Sequence, residues 1–237
     1  MKKKLQYQGY HLLTFLLLGG ILFYTLLVYP DGETRFWKLS ASQWIWFSWF
    51  FAGIFQFWIA FFWRFELYGG RISTWMGRVG FPLYRTGYVV FGLLRLLPLI
   101  PIALTSRATA SVPPWISLPF LALTIPLSLW GMYCATVYFG ITRASGADHF
   151  IPAYRDRNLE KRGIYKYIPN VMYSVVLLAL YHPGLIWQSA QAIIAAAVHH
   201  AFVWVHYFCT EKPDLKEIYG NVPLPALRRP EADEQGA

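Results

Sequence analysis

From Val171 to Phe208 the chain is apolar for about twice the length that one bilayer crossing needs. The main interruption is His182-Pro183-Gly184, a strong breaker. The simplest fold for such a run is two antiparallel helices joined by a tight turn at the breaker. The first arm, Val171 to Tyr181, is short for a full crossing. Polar residues bracket the run: Gly163 to Asn170 lead into it, and Cys209-Thr210-Glu211-Lys212-Pro213-Asp214 lead out. A tight hairpin brings those two polar ends face to face.

The rest of the chain has the same character. Only 14% of its residues are charged and 56% are hydrophobic, whereas a soluble domain carries about a quarter charged residues. Further spans are expected over Tyr10–Tyr29, Gln43–Trp63, Phe81–Leu104 and Trp115–Phe139. The fold class is therefore all-α: a polytopic helical membrane protein of about six spans, including the C-terminal hairpin. Pro98 and Pro101 predict a kinked helix in the third span, and Pro126 a kink in the fourth. Arg85 lies near a span end, where it can snorkel; Arg95 lies deeper and needs an ion pair, a lipid phosphate or an anionic ligand. Three regions follow: a four-span bundle over 1–139, a polar loop plus hairpin over 140–220, and a flexible tail over 221–237.

The net charge of +9 is spread between apolar blocks, as topology signals are, and is not gathered into a stripe that reads nucleic acid. Lys2 to Lys4, Arg64, Arg71, Arg78, the Arg143–Lys166 loop and the C-terminal basic residues fall on one side. Arg35, Lys38 and Arg107 fall on the other. The expectation is an integral membrane protein with both termini cytoplasmic. Cys134 and Cys209 are far apart and outside any ligand spacing, so neither a disulfide framework nor a metal site is expected. Pro213 suits the first turn of a last helix, Asp214 with Glu217 suggests a capping box, and Gly220-Asn221 suits its end.

The polar collar around the hairpin holds Arg162, Tyr165, Tyr167, Asn170 and Tyr173 on one side and Glu211 and Asp214 on the other. By composition it is either an interfacial ring of tyrosines beside solvated charges or a ligand site. Gly163-Ile164-Tyr165-Lys166-Tyr167-Ile168-Pro169-Asn170-Val171-Met172-Tyr173 resembles, without a gap, the motif G-P-Y-R-Y-V-R-H-P-M-Y. That motif marks the integral-membrane methyltransferases, which include isoprenylcysteine carboxyl methyltransferases and phospholipid N-methyltransferases. Glu211-Lys212-Pro213-Asp214-Leu215 with Tyr219-Gly220 is similar to the group's E-E-P-x-L and F-G. Tyr138-Phe139-Gly140-Ile141 is similar to a Y-F-G-I segment of phosphatidylethanolamine N-methyltransferases. This sequence differs at Asn170 (often His), Val171 (Pro), Pro169 (Arg) and Lys212 (acidic).

The resemblance implies S-adenosylmethionine as cofactor, bound at the cytoplasmic mouth by Tyr165, Lys166, Tyr167, Asn170, Glu211 and Arg162. Glu211 would pair the ammonium and Lys166 or Arg162 the carboxylate, while tyrosine faces would meet the sulfonium. Asn170, Tyr173 and His149, the last beside Asp148, are the implied catalytic residues. The acceptor would be a membrane lipid or lipophilic small molecule reached through the bilayer, with a phospholipid amine head group favoured. Different-class alternatives are a membrane haem protein, using His11, His199 or His206, and a non-catalytic scaffold related to the methyltransferases.

Overall fold

The computed structural model describes residues 2–155 and 160–220. The expected flexible tail, 221–237, lies outside them. Among the described residues the secondary structure is helical, apart from one isolated bridge between Phe36 and Leu39. Five helices are long and apolar enough to cross a membrane, which bears out an all-α polytopic fold.

Helix α1 spans Gln8–Val28 and α2 spans Ala41–Leu67. Ser40 starts α2 with a capping box: its hydroxyl accepts from Gln43 N, and the Gln43 side chain accepts from Ser40 N at 2.9 Å. The short α3 (Arg71–Met76) leads into α4 (Gly80–Leu96) and α5 (Leu99–Thr105). Where Pro98 and Pro101 lead one to expect a kinked helix, the span is divided at Pro98 into two helices. Helix α6 (Pro114–Cys134) runs continuously through Pro126.

The chain beyond α6 departs from expectation. The polar stretch after Gly140 does not leave the bundle at once. A π-helical turn over Ala135–Gly140 is followed by α7 (Ile141–Ala144) and α8 (Ala147–Phe150). Helix α8 packs on α2, with Asp148 and His149 buried.

The first hairpin arm is broken into α9 (Val171–Ser174), a 3-10 stretch over Val176–Leu180, and α10 (Tyr181–Ile186). The reversal is not at His182-Pro183-Gly184. Pro183 is the third residue of α10, where a missing N–H costs nothing. The chain turns instead at Trp187–Ser189, where Gln188 has φ 52 and Ser189 caps α11 (Ala190–His206) by accepting from Ala192 N at 3.0 Å. At helical and 3-10 rises the first arm extends about 25 Å, short of a bilayer core of about 30 Å. A π-helical turn over Tyr207–Glu211 joins α11 to α12 (Lys212–Tyr219), with Pro213 in its first turn as expected.

Helix α2 is the central post. It packs along α4 and also meets α1, α3, α5, α8 and α11. One apolar core joins α1, α2, α5 and α11 around Leu22, Trp49, Ile102 and Phe202. A second lies at the other end of α2, around Phe62, Trp63 and Tyr84. A third, smaller one holds α6 against the Gly163–Val175 segment through Cys134, Ile164, Val171 and Val175. The start of the chain meets α12 at one end of the bundle, where Lys3 Nζ lies 3.0 Å from Glu217. The candidate site forms at that end.

Candidate active site

Pro213 has no N–H to give, so the carbonyl of Cys209, four residues earlier, has no helical partner. Arg64, near the end of α2, meets this need. Its Nη2 donates to Cys209 O at 2.9 Å and to Thr210 O at 3.2 Å. Its Nε reaches both carboxylate oxygens of Asp214 at 2.8 and 3.0 Å. Its Nη1 donates to Lys3 O at 2.9 Å and Gln6 O at 3.3 Å. Arg64 is 1% exposed and Asp214 0%. Tyr68 also donates to Asp214, at 3.0 Å. The expected capping box at Asp214 therefore does not form: its carboxylate is consumed by Arg64 and Tyr68, and α12 has no side-chain cap.

His149 is built into the same corner. Gly146, with φ 81, precedes α8, and a Cβ there would lie 2.4 Å from the Trp63 ring, so only glycine lets α8 approach α2 this closely. The His149 ring stacks on Trp63 at 4.0 Å. Its Nδ1 lies 2.9 Å from Asp148 Oδ1, and its Nε2 lies 3.6 Å from Asp214 Oδ2. Tyr219 donates to the other Asp148 oxygen at 3.0 Å. Arg155 fastens the loop by donating to the carbonyls of Asp148 and His149 at 2.8 and 3.0 Å. This is a buried Asp–His dyad, of a kind able to accept a proton.

The two motif segments meet at Tyr173 and Glu211. The Tyr173 hydroxyl donates to Glu211 Oε2, which fixes the carboxylate at the end of the π-helical turn. Tyr173 is itself held from behind. Its helix breaks at Val175 (φ −113), and His200 Nε2 takes up the Tyr173 carbonyl at 2.7 Å. The other ring nitrogen, Nδ1, lies 3.3 Å from the Tyr181 hydroxyl. Glu211 lies within electrostatic range of His149 and Asp148, so the pair and the dyad belong to one polar region.

The remaining predicted residues form an outer rim. Gly163 has φ 58, and a Cβ there would fall 2.6 Å from Cys134 Sγ. The motif glycine is thus what seats the segment on α6. Arg162 is spent on Glu160, with Nη2 to Oε2 at 2.8 Å, and covers the Tyr138 ring at 5.1 Å. The hydrogen bond from Arg162 holds the Glu160 carboxyl down to about 2. Tyr165 stacks on Phe139 at 5.7 Å with a buried hydroxyl that has no partner among the described residues. Burial pushes that hydroxyl up to about 12, so it acts as a neutral donor. Lys166 and Tyr167 are exposed, with the Lys166 ammonium over the Tyr167 ring at 5.6 Å. Asn170 is exposed with φ 53, and its carbonyl accepts from Tyr173 N at 2.8 Å and Ser174 N at 3.0 Å. Asparagine tolerates this left-handed conformation better than most residues, so it starts α9 whatever else it does.

For an S-adenosylmethionine-like group, Glu211 offers a carboxyl fixed by Tyr173, Lys166 a cation with no ion-pair partner among the described residues and Tyr165 a buried donor unpartnered among them, so the residues present fit the donor set. Arg162 does not add a free charge. Arg64, Tyr68 and Trp63 were not singled out from the sequence as site-building residues. The signal for Arg64 was the missing N–H of Pro213, which requires a donor from elsewhere. Of the histidines of the haem alternative, His199 and His11 are engaged in part by protein groups, while both ring nitrogens of His206 have no hydrogen-bond partner among the described residues. His199 Nε2 lies 2.8 Å from Ser48 Oγ, and His11 packs against His206, Phe57 and Phe202 at 5.6, 5.2 and 5.2 Å.

Residues 115–222 match the family model described as phospholipid methyltransferase. The match takes in α6 and every described element after it, and bears out over that region the resemblance to the integral-membrane methyltransferase group. No curated protein and no solved structure matches the chain.

Proposed function

We propose that this membrane methyltransferase of the phospholipid methyltransferase type uses S-adenosylmethionine to methylate an amine head group of a phospholipid. The observation that carries the reading is the Tyr173–Glu211 hydrogen bond, which joins the two motif segments into one polar seat. The cofactor, when bound, supplies an electrophilic methyl on a sulfonium. Glu211, oriented by Tyr173, would hold its ammonium, Lys166 its carboxylate, and the Tyr165 and Tyr167 rings its cationic region. An acceptor amine taking that methyl would have a proton to shed. His149, oriented by Asp148, is the group in the region suited to take that proton. The protein's larger contribution is alignment and exclusion of water from a donor and acceptor arriving by different routes. The distribution of Lys and Arg supports a cytoplasmic site with both termini on that side.

The test is labelled methyl transfer from S-adenosylmethionine into total membrane lipid extract, with products identified by mass. Methylated amine phospholipid is expected, and Glu211→Gln should lower the rate at least about tenfold while the protein stays folded. No transfer, together with no thermal-shift response to S-adenosylhomocysteine, would sink the reading in favour of a non-catalytic scaffold.

A further inference from the structure

Arg95 stands alone in the interior. It is 2% exposed, and its Nε and Nη1 have no hydrogen-bond partner among the described residues. No described carboxylate pairs with it. Its guanidinium lies 4.8 Å from the centre of the Phe55 ring. A cation in an apolar bundle calls for an anion, and this one has two planar donors left to give.

The surroundings fix where those donors are. The Arg95 carbonyl accepts from Ser48 Oγ at 2.5 Å, and Ser48 Oγ lies 2.8 Å from His199 Nε2. Ser48 has spent its proton on the carbonyl, so His199 donates through Nε2 and its unpartnered Nδ1 is an acceptor. Side chains lean toward the start of their own helix. Arg95 therefore leans along α4 toward Tyr88 and Tyr84, which share its face. Both Tyr88 and Tyr173 lie within electrostatic range of Arg95. The free donors thus lie in the bundle interior, within electrostatic range of Tyr173, the residue that fixes Glu211.

We infer that Arg95 grips the phosphate of the acceptor phospholipid, so that the head-group amine is delivered to Tyr173. This rests on the proposed phospholipid acceptor. A phosphate presents two oxygens to a guanidinium fork, and it comes tethered to acyl chains that enter from the bilayer. The cofactor's carboxylate has Lys166 at the rim. Arg95 and the Tyr173–Glu211 seat then hold the acceptor and donor from opposite sides.

The test uses the full-length protein in detergent and a short-chain phosphatidylethanolamine as probe, with S-adenosylhomocysteine measured alongside. Arg95→Gln should weaken the phospholipid at least tenfold and leave S-adenosylhomocysteine within about twofold; Arg95→Lys should fall between. Unchanged phospholipid binding overturns the inference, as does loss of S-adenosylhomocysteine binding instead, which would assign Arg95 to the cofactor carboxylate. Should the variants fail to fold, competition on the wild-type protein decides. Short-chain phosphatidic acid should displace the probe and the matching diacylglycerol should not. Equal competition by both, or displacement by millimolar inorganic phosphate alone, overturns a lipid-phosphate site. Absence of methyl transfer with these binding results intact would count against the proposed reaction and not against the subsite.

Discussion

Among the described residues two arginines are buried, and they are bonded in opposite ways. Arg64 is 1% exposed and Arg95 2%. Arg64 has a partner for every nitrogen: a carboxylate, two carbonyls of the last helical segment and two of the first residues. Arg95 has a ring beneath it and two nitrogens without a hydrogen-bond partner among the described residues. A buried charge whose donors are all filled is architecture; one whose donors are free has to find its partner in something that arrives. Burial alone does not distinguish the two, and the hydrogen-bond inventory does.

The comparison breaks first at Arg64. Arg64→Met should cost about 3–5 kcal/mol, because it strands Asp214 and the Cys209 and Thr210 carbonyls together. Thermal unfolding in detergent should show a fall of about 10 °C. Adding Asp214→Leu should recover part of that loss, and full additivity of the two would mean that they do not act as a pair. Arg95→Gln, by contrast, should leave the melting temperature within a few degrees of wild type. A loss as large as that of Arg64→Met would make Arg95 architectural too.

Smaller effects test how the seat is held. Gly163→Ala forces a left-handed φ on a residue with a Cβ and presses it on Cys134. It should cost about 1–3 kcal/mol and speed amide exchange across residues 163–170. Tyr173→Phe removes one hydrogen bond to a carboxylate, worth about 1.5–3 kcal/mol. That should appear as a loss of stability of about that size and, with Glu211 no longer oriented, at least tenfold weaker S-adenosylhomocysteine binding. His200→Ala frees the Tyr173 carbonyl and should reproduce a weaker form of the same loss, about 1 kcal/mol.

The smallest effect concerns Glu160. Its carboxyl is held at about 2 in the folded protein, below its ordinary value. The contribution of Glu160 to stability is thus complete above about pH 4.5 and is lost as pH falls toward 2. Its partner Arg162 is exposed, so Glu160→Gln should move the neutral-pH melting temperature by no more than about 2 °C.

The spans and the motif were legible because both are local. Apolar runs of bilayer length announce α1, α2 and α6, and the prolines announce a bend in the third span, though not its full division at Pro98. The hairpin turn was misplaced because a proline reads as a breaker, whereas in the first turn of α10 it is harmless. Asp214 was read as a cap because its nearest sequence partner is Glu217; its actual partner lies on α2, and no local pattern reports it. The burial of Asp148 and His149 was equally hidden, since it depends on Gly146 letting α8 reach Trp63. In the site, the meeting of Tyr173 and Glu211 followed from hairpin geometry. The support behind it, His200 and Arg64, required the coordinates.

The Arg64–Asp214 bond also sets a schedule. Its partners are 150 residues apart in the chain. At ordinary synthesis rates of about 5–20 residues per second, Arg64 is made roughly 8–30 s before its counter-charge exists. Through that interval α2 sits in or at the bilayer with a cation that only the last helix can neutralise. Assembly is therefore completed only at the end: a chain that stops short of Asp214 keeps an unanswered charge at the root of its central helix.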